Sequence, residues 1–209
     1  MDFSQSWRAH HAGVEVDRNI WVKGWLKLIV VPAKLLARVK VSPSLLTVLG
    51  VDFAVVTLWV SSLGVSRAGL VVCALLVLAS SYFDGLDGAV AILRDRVSNF
   101  GSRLDRVADR MTEIAWVAML GFFGCPIWLA VSALISTWGY EFFRWQRSKT
   151  GLLPVTFGER PVRVVITIMF LLAAAVIFNA AQWWVSAAAV AWVVVALVGA
   201  LQVARRFQV

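Results

Sequence analysis

Four aspartates crowd one stretch of the chain. Residues 84–109 read DGLDGAVAILRDRVSNFGSRLDRVAD and hold Asp84, Asp87, Asp105 and Asp109. Long apolar runs flank them, LVVCALLVLASSYF before and IAWVAMLGFF after. A carboxylate inside or at the edge of a bilayer costs about 2.5–3.5 kcal/mol by insertion scales, so it persists where a partner compensates it. Asp84 and Asp87 stand at i, i+3 and Asp105 and Asp109 at i, i+4, which puts each pair on one helix face. Gly88 lies one turn beyond Asp84, and Gly101 one turn before Asp105. Glycine inside a helix costs about 0.8–1.0 kcal/mol relative to alanine. It is useful where a second body must come close to the backbone. Two such faces together form an oxygen-rich pocket for hard divalent cations, with phosphates completing the shell. A two-metal site beside a phosphate chain is a phosphoryl-transfer constellation.

The stretch resembles the motif of the CDP-alcohol phosphotransferase family, D-x2-D-G-x2-A-R-x8-G-x3-D-x3-D. Asp84, Asp87, Gly88, Ala91, Gly101, Asp105 and Asp109 fall in register, seven of eight fixed positions. The departure is Ile92, where the family has arginine. The resemblance implies an integral membrane enzyme of bacterial phospholipid synthesis. It would move a phosphatidyl group from CDP-diacylglycerol to an alcohol acceptor and release CMP. Carried over by motif position, Asp84, Asp87, Asp105 and Asp109 hold two Mg²⁺ or Mn²⁺ ions. Asp109 is also the candidate general base for the acceptor hydroxyl. A carboxylate beside two cations is a weak base, so its ligand role is the firmer of the two. Gly88, Ala91 and Gly101 are the nucleotide-binding positions. The arginine absent at position 92 would bind the diphosphate, and Arg94, Arg96, Arg103 or Arg106 can supply that charge instead. The family also implies a homodimer.

The elements that must position these residues are helices in a membrane. Of 209 residues, 60% are apolar, and mean hydropathy is +0.80. That composition excludes an ordinary soluble domain. The net charge of +8 points to anionic lipid surface, and the apolar runs set nucleic acid aside as partner. Cys73 and Cys125 are isolated, so no disulfide framework or zinc pattern follows. The first eighteen residues are polar, with His10 and His11 the only histidines. They read as a solvated tail without a cleavable signal peptide.

Residues 19–40 interleave Trp21, Trp25, Leu26, Ile29 and Val30 with Lys23, Lys27, Lys34 and Arg38. This pattern predicts an amphipathic helix in the membrane interface, broken or kinked at Pro32. Residues 1–40 are thus a cytoplasmic tail plus interfacial helix, and 41–209 one membrane domain. Ser42-Pro43 reads as an N-cap and first turn. Six spans are expected, at about 45–63, 68–92, 100–123, 126–147, 162–180 and 183–203, each near the ~20 residues that cross the hydrocarbon core. Asp52 is an acidic residue inside the first span, either paired with a basic side chain or lining the pocket.

Basic residues alternate between turns. Seven Lys/Arg precede the first span, and Arg67 alone marks the 64–67 turn. Arg94 and Arg96 stand in the 93–99 turn, and none stands in 121–126 or 179–182. Arg144, Arg147, Lys149, Arg160 and Arg163 fill 144–163, and Arg205 and Arg206 end the chain. The positive-inside rule puts both termini and the aspartates at the cytoplasmic face of the inner membrane.

A second basic cluster, RWQRSKTGLLPVTFGERPVR, contains Arg144, Arg160 and Arg163. Guanidinium forks suit phosphate oxygens, so these three are the candidate acceptor-binding residues. The GERPVR run is similar to a segment of phosphatidylinositol-phosphate synthases of the family. It implies a phosphorylated polyol acceptor, inositol phosphate or glycerol 3-phosphate, with a neutral acceptor such as serine or a lipid such as phosphatidylglycerol as the alternatives. Asp95 and Glu113 read as ion-pair partners of nearby arginines. Two rival readings are a transporter, since intramembrane acids mark ion paths, and a non-catalytic membrane protein whose aspartates pair with Arg103, Arg106 and Arg110.

Overall fold

A computed structural model describes residues 20–96, 98–149 and 156–206. The polar tail with His10 and His11 lies outside them, as does part of the second basic cluster. Among the described residues the chain is all-helical. Helix α1 spans Ile20–Arg38, α2 Pro43–Ser62, α3 Arg67–Leu93, α4 Asn99–Phe122, α5 Ile127–Ser148, α6 Arg160–Val176 and α7 Ala181–Arg206. A 3₁₀ turn at Phe178–Ala180 joins the last two. Among the described residues, three helical segments are long and apolar enough to cross a membrane by length and composition: Pro43–Ser62, Arg67–Leu93 and Phe178–Arg205. The other expected spans differ for physical reasons. Helix α6 has only 17 residues. Helix α4 carries Arg103, Asp105, Arg106, Asp109, Arg110 and Glu113, and α5 carries Glu141, Arg144 and Arg147.

The helix ends follow local chemistry. Pro43 opens α2, where its missing N–H has no intrahelical partner to lose. Pro32 stands inside α1 without ending it. Helix α4 stops in a Schellman turn: Cys125 N–H donates to Leu120 C=O at 2.9 Å, and Gly124 N–H to Gly121 C=O at 3.0 Å. Gly124 takes φ 100° there, a left-handed conformation that costs glycine little. The same turn closes α1 and α3 with non-glycine residues, Lys40 at φ 60° and Asp95 at φ 51°.

The chain divides into two compact units. The first contains the chain up to Asp52 and residues Ala79–Met111. Its core joins Ile29 and Ala33 of α1, Leu46 of α2, and Leu86, Ala89 and Val90 of α3. Helices α2 and α3 meet closely at Gly50, where an added Cβ would lie 3.2 Å from the Ser80 carbonyl. Ser80 Oγ donates to the Gly50 carbonyl at 2.7 Å. Arg94 Nη1 donates to the Lys40 and Val41 carbonyls at 3.0 and 2.6 Å, satisfying acceptors beyond the end of α1.

The second unit contains Phe53–Leu78 and Thr112–Val209. Its core is rich in alanine, with Trp116, Met119, Phe123 and Trp192 as large buried members. Small residues let helix backbones approach where lipid offers no hydrophobic drive to association. Helices α5 and α6 both pack on α7.

Candidate active site

Helices α3 and α4 position the aspartates, all within the first unit. Asp84, Asp105 and Asp109 converge. One carboxylate oxygen from each lies within 4.8 Å of the other two, and all three residues are half-buried. Ligand oxygens on opposite sides of one Mg²⁺ stand about 4.2 Å apart, twice a metal–oxygen bond of about 2.1 Å. The cluster therefore fits a hard divalent cation with little closure. Helical spacing delivers this: Asp105 and Asp109 share a face of α4, and Asp84 meets them from α3.

Asp87 is held differently. It is 6% exposed, and its Oδ2 accepts a hydrogen bond from Thr47 Oγ1 of α2 at 2.5 Å. The carboxylates of Asp84 and Asp105 repel it. A buried anion with anionic neighbours is costly unless cations or donors compensate it, which is the condition a metal centre satisfies.

The glycines of the stretch differ in their surroundings. A Cβ added at Gly88 would meet nothing within 4 Å, and one at Gly101 would meet only Ser98 Oγ, at 3.3 Å. Neither glycine is required by packing within the chain. Ala91 is half-buried on α3. Ile92 is half-buried, and Arg94 is committed to the Lys40 and Val41 carbonyls. Arg96, Arg103 and Arg106 are exposed. Asp52 is exposed on α2.

The arginines expected at the acceptor side all fall in the second unit. Arg144 Nη1 donates to Tyr140 Oη at 3.1 Å and pairs with Glu159. Glu159 Oε1 also accepts the Thr156 N–H at 3.1 Å. Arg160 Nη2 donates to Thr112 Oγ1 at 3.0 Å, and its guanidinium lies over the Trp116 ring. Arg163 is 1% exposed. Its Nη2 sits 2.6 Å from both Glu113 Oε1 and Glu141 Oε1, and its Nη1 donates to the Gly158 carbonyl at 2.5 Å. Trp138 Nε1 donates to Glu113 Oε2 at 2.9 Å. Arg163 thus ties α4, α5 and α6 together and turns no open face outward. Glu113 is the ion-pair partner that the sequence reading expects. Sequence reasoning missed Glu141 and Thr47. Their partners, Arg163 and Asp87, stand far along the chain, so no local signal gave the contacts.

The model of the CDP-alcohol phosphatidyltransferase family matches residues 40–199, most of the chain and all of the aspartate stretch. The chain belongs to this family. It is therefore an enzyme, a transferase of substituted phosphate groups in phospholipid synthesis, and the transporter and non-catalytic readings fall away. Among curated relatives, an archaetidylinositol phosphate synthase of Pyrococcus horikoshii is 26% identical over 152 residues, 71% of this chain and 76% of the relative. A bifunctional IPC transferase and DIPP synthase of Thermococcus kodakarensis is 27% identical over 146 residues, 64% of this chain and 33% of the relative. Among solved structures, Mycobacterium tuberculosis phosphatidylinositol phosphate synthase with CDP-DAG bound superposes with a TM-score of 0.67 at 22% identity, covering 86% of this chain and 92% of that one. The same synthase in complex with manganese and citrate gives 0.67 at 23% identity, covering 85% and 87%. These likenesses establish the shared fold.

Proposed function

We propose that this transferase moves a phosphatidyl group from CDP-diacylglycerol to a phosphorylated polyol, inositol phosphate or glycerol 3-phosphate. The observation that carries the reading is the convergence of Asp84, Asp105 and Asp109 on motif positions of the family. These three, with Asp87, would hold two Mg²⁺ or Mn²⁺ ions. When bound, the ions neutralise the diphosphate as charge shifts toward the leaving CMP. Asp109 takes the proton of the acceptor hydroxyl. The hydroxyl oxygen bonds to the phosphorus that bears the diacylglycerol, the phosphoanhydride bond breaks, and CMP departs with the electron pair. The open space beside Gly88 supports its role, with Ala91 and Gly101, in admitting the nucleotide. Arg96, Arg103 and Arg106 stand in for the guanidinium absent at Ile92.

The acceptor phosphate goes to Arg144 and Arg160, and Arg163, the third candidate, is engaged by Glu113, Glu141 and the Gly158 carbonyl. Relatives named for inositol phosphate products support the inositol phosphate acceptor. The protein is a homodimer of six-span subunits in the inner membrane, with α1 lying in the interface and the aspartates facing the cytoplasm. Apolar side chains at Leu28, Val31 and Leu35 of α1 are exposed while Ile29 and Ala33 are buried, as suits a helix shared between protein and lipid.

Purified protein, labelled CDP-diacylglycerol, divalent metal and a panel of alcohols test this by CMP release. Release is expected with inositol phosphate or glycerol 3-phosphate, and chelator should abolish it. Asp105→Asn should lower the rate more than about 100-fold, since metal stabilisation is worth several kcal/mol. No release with any acceptor would overturn the reading.

A further inference from the structure

We infer that Thr47 is a positioning residue for the metal centre, acting through Asp87. The inference rests on the four-aspartate site proposed above. The chain offers an internal comparison. Buried threonines in apolar helices usually turn the hydroxyl back to a carbonyl three or four residues earlier. Thr57 does so, donating to the Ala54 carbonyl at 2.6 Å, and Thr167 donates to the Arg163 carbonyl at 2.8 Å. Thr47 has the same option, with the Pro43 carbonyl 3.3 Å away. Its shorter contact, 2.5 Å, runs instead to Asp87 Oδ2, forty positions along the chain. A hydroxyl has one proton, and the nearer of its two acceptors is the Asp87 oxygen.

The surroundings show why a donor is needed there. Thr47 is 7% and Asp87 6% exposed. Their chain neighbours Leu46, Leu86 and Ala89 belong to one apolar core cluster. A carboxylate at that position has little water to orient it. Thr47 engages Oδ2 and, with the Gly88 backbone N–H that also bonds this carboxylate, limits its rotation, so that it would present a fixed face to a cation. The contact also crosses from α2 to α3 beside Gly50, where the two helices approach closely. The hydroxyl therefore ties the orientation of Asp87 to the packing of α2. Groups that orient a ligand in this way contribute about 10–100-fold to metal affinity.

Mn²⁺ binding to the purified full-length protein, read directly by electron paramagnetic resonance without substrate, tests the inference. Thr47→Val, which keeps shape and removes the proton, should raise the Mn²⁺ Kd by about 10–100-fold. Thr47→Ser should restore affinity close to wild type, and Thr57→Val should leave it unchanged. Thr47→Ala carries the test if the valine variant does not accumulate as folded protein. Wild-type Mn²⁺ affinity in Thr47→Val, with affinity lost in Asp105→Asn, would overturn the role of Thr47 alone. No Mn²⁺ binding by the wild-type protein, or none lost in Asp105→Asn, would overturn the metal site and this inference with it.

Discussion

Glycines in this chain serve two opposite purposes, and a single added methyl separates them. At Gly158 a Cβ would stand 2.6 Å from Tyr140 Cζ, and at Gly199 it would stand 2.8 Å from the Gly158 backbone. Those positions are closed by packing, so alanine would displace the Tyr140 ring at Gly158 and force the backbones apart at Gly199. At Gly88 the methyl meets no protein atom within 4 Å, yet the residue stands inside a long helix. Helix propensity alone favours alanine by about 0.8–1.0 kcal/mol. Gly88→Ala should therefore raise thermal stability slightly in detergent while raising KM for CDP-diacylglycerol, because the methyl enters the space assigned to the nucleotide. Unchanged KM with raised stability would remove Gly88 from the donor site. The aspartates follow the same logic of local chemistry. Periodicity puts Asp105 and Asp109 on one face of α4, packing of α3 on α4 brings Asp84 to them, and Asp87 accepts the Thr47 hydroxyl.

At the scale of the elements, the polar joints between helices matter most. Glu113 of α4 and Arg163 of α6 form a buried ion pair that half-buried Glu141 of α5 joins, with Trp138 and the Gly158 carbonyl as further hydrogen-bond partners. Removing one member of a buried ion pair leaves an uncompensated charge and costs about 3–5 kcal/mol, whereas replacing all partners with apolar residues can be neutral. Arg163→Met should therefore lower stability by about 3–5 kcal/mol. Adding Glu113→Met and Glu141→Met should recover much of the loss. Denaturant unfolding in detergent measures both, and a stable single variant would mean that the cluster contributes little to joining the helices.

For the whole molecule, the distribution of Lys and Arg makes a prediction about sidedness. Cys73 and Cys125 are both buried and free, so neither should react with a bulky maleimide in sealed vesicles. A cysteine introduced at Asp95, in the turn after α3, should be labelled from the cytoplasmic side. One at Val65, in the turn after α2, should be labelled from the opposite side. The reverse pattern would invert the proposed orientation and put the aspartates away from the cytoplasmic nucleotide pool.

Sequence by itself determined the helical architecture and the family, and it singled out the aspartates proposed to hold the metal. Apolar runs near bilayer length force helices, since backbone groups in lipid must bond within their own segment. Aspartates at i, i+3 and i, i+4 then align by periodicity alone. The ends of α2 and α3 were legible from Pro43 and from the charged turn after Leu93. Contacts between residues distant in the chain were not legible. Nothing local says that Thr47 bonds Asp87 instead of the Pro43 carbonyl. Nothing local says that Glu113 and Glu141 both meet Arg163, or that the Arg163 guanidinium is thereby withdrawn from solvent. Those outcomes depend on which helix faces pack together, and interhelical distance and rotation are properties of the folded chain.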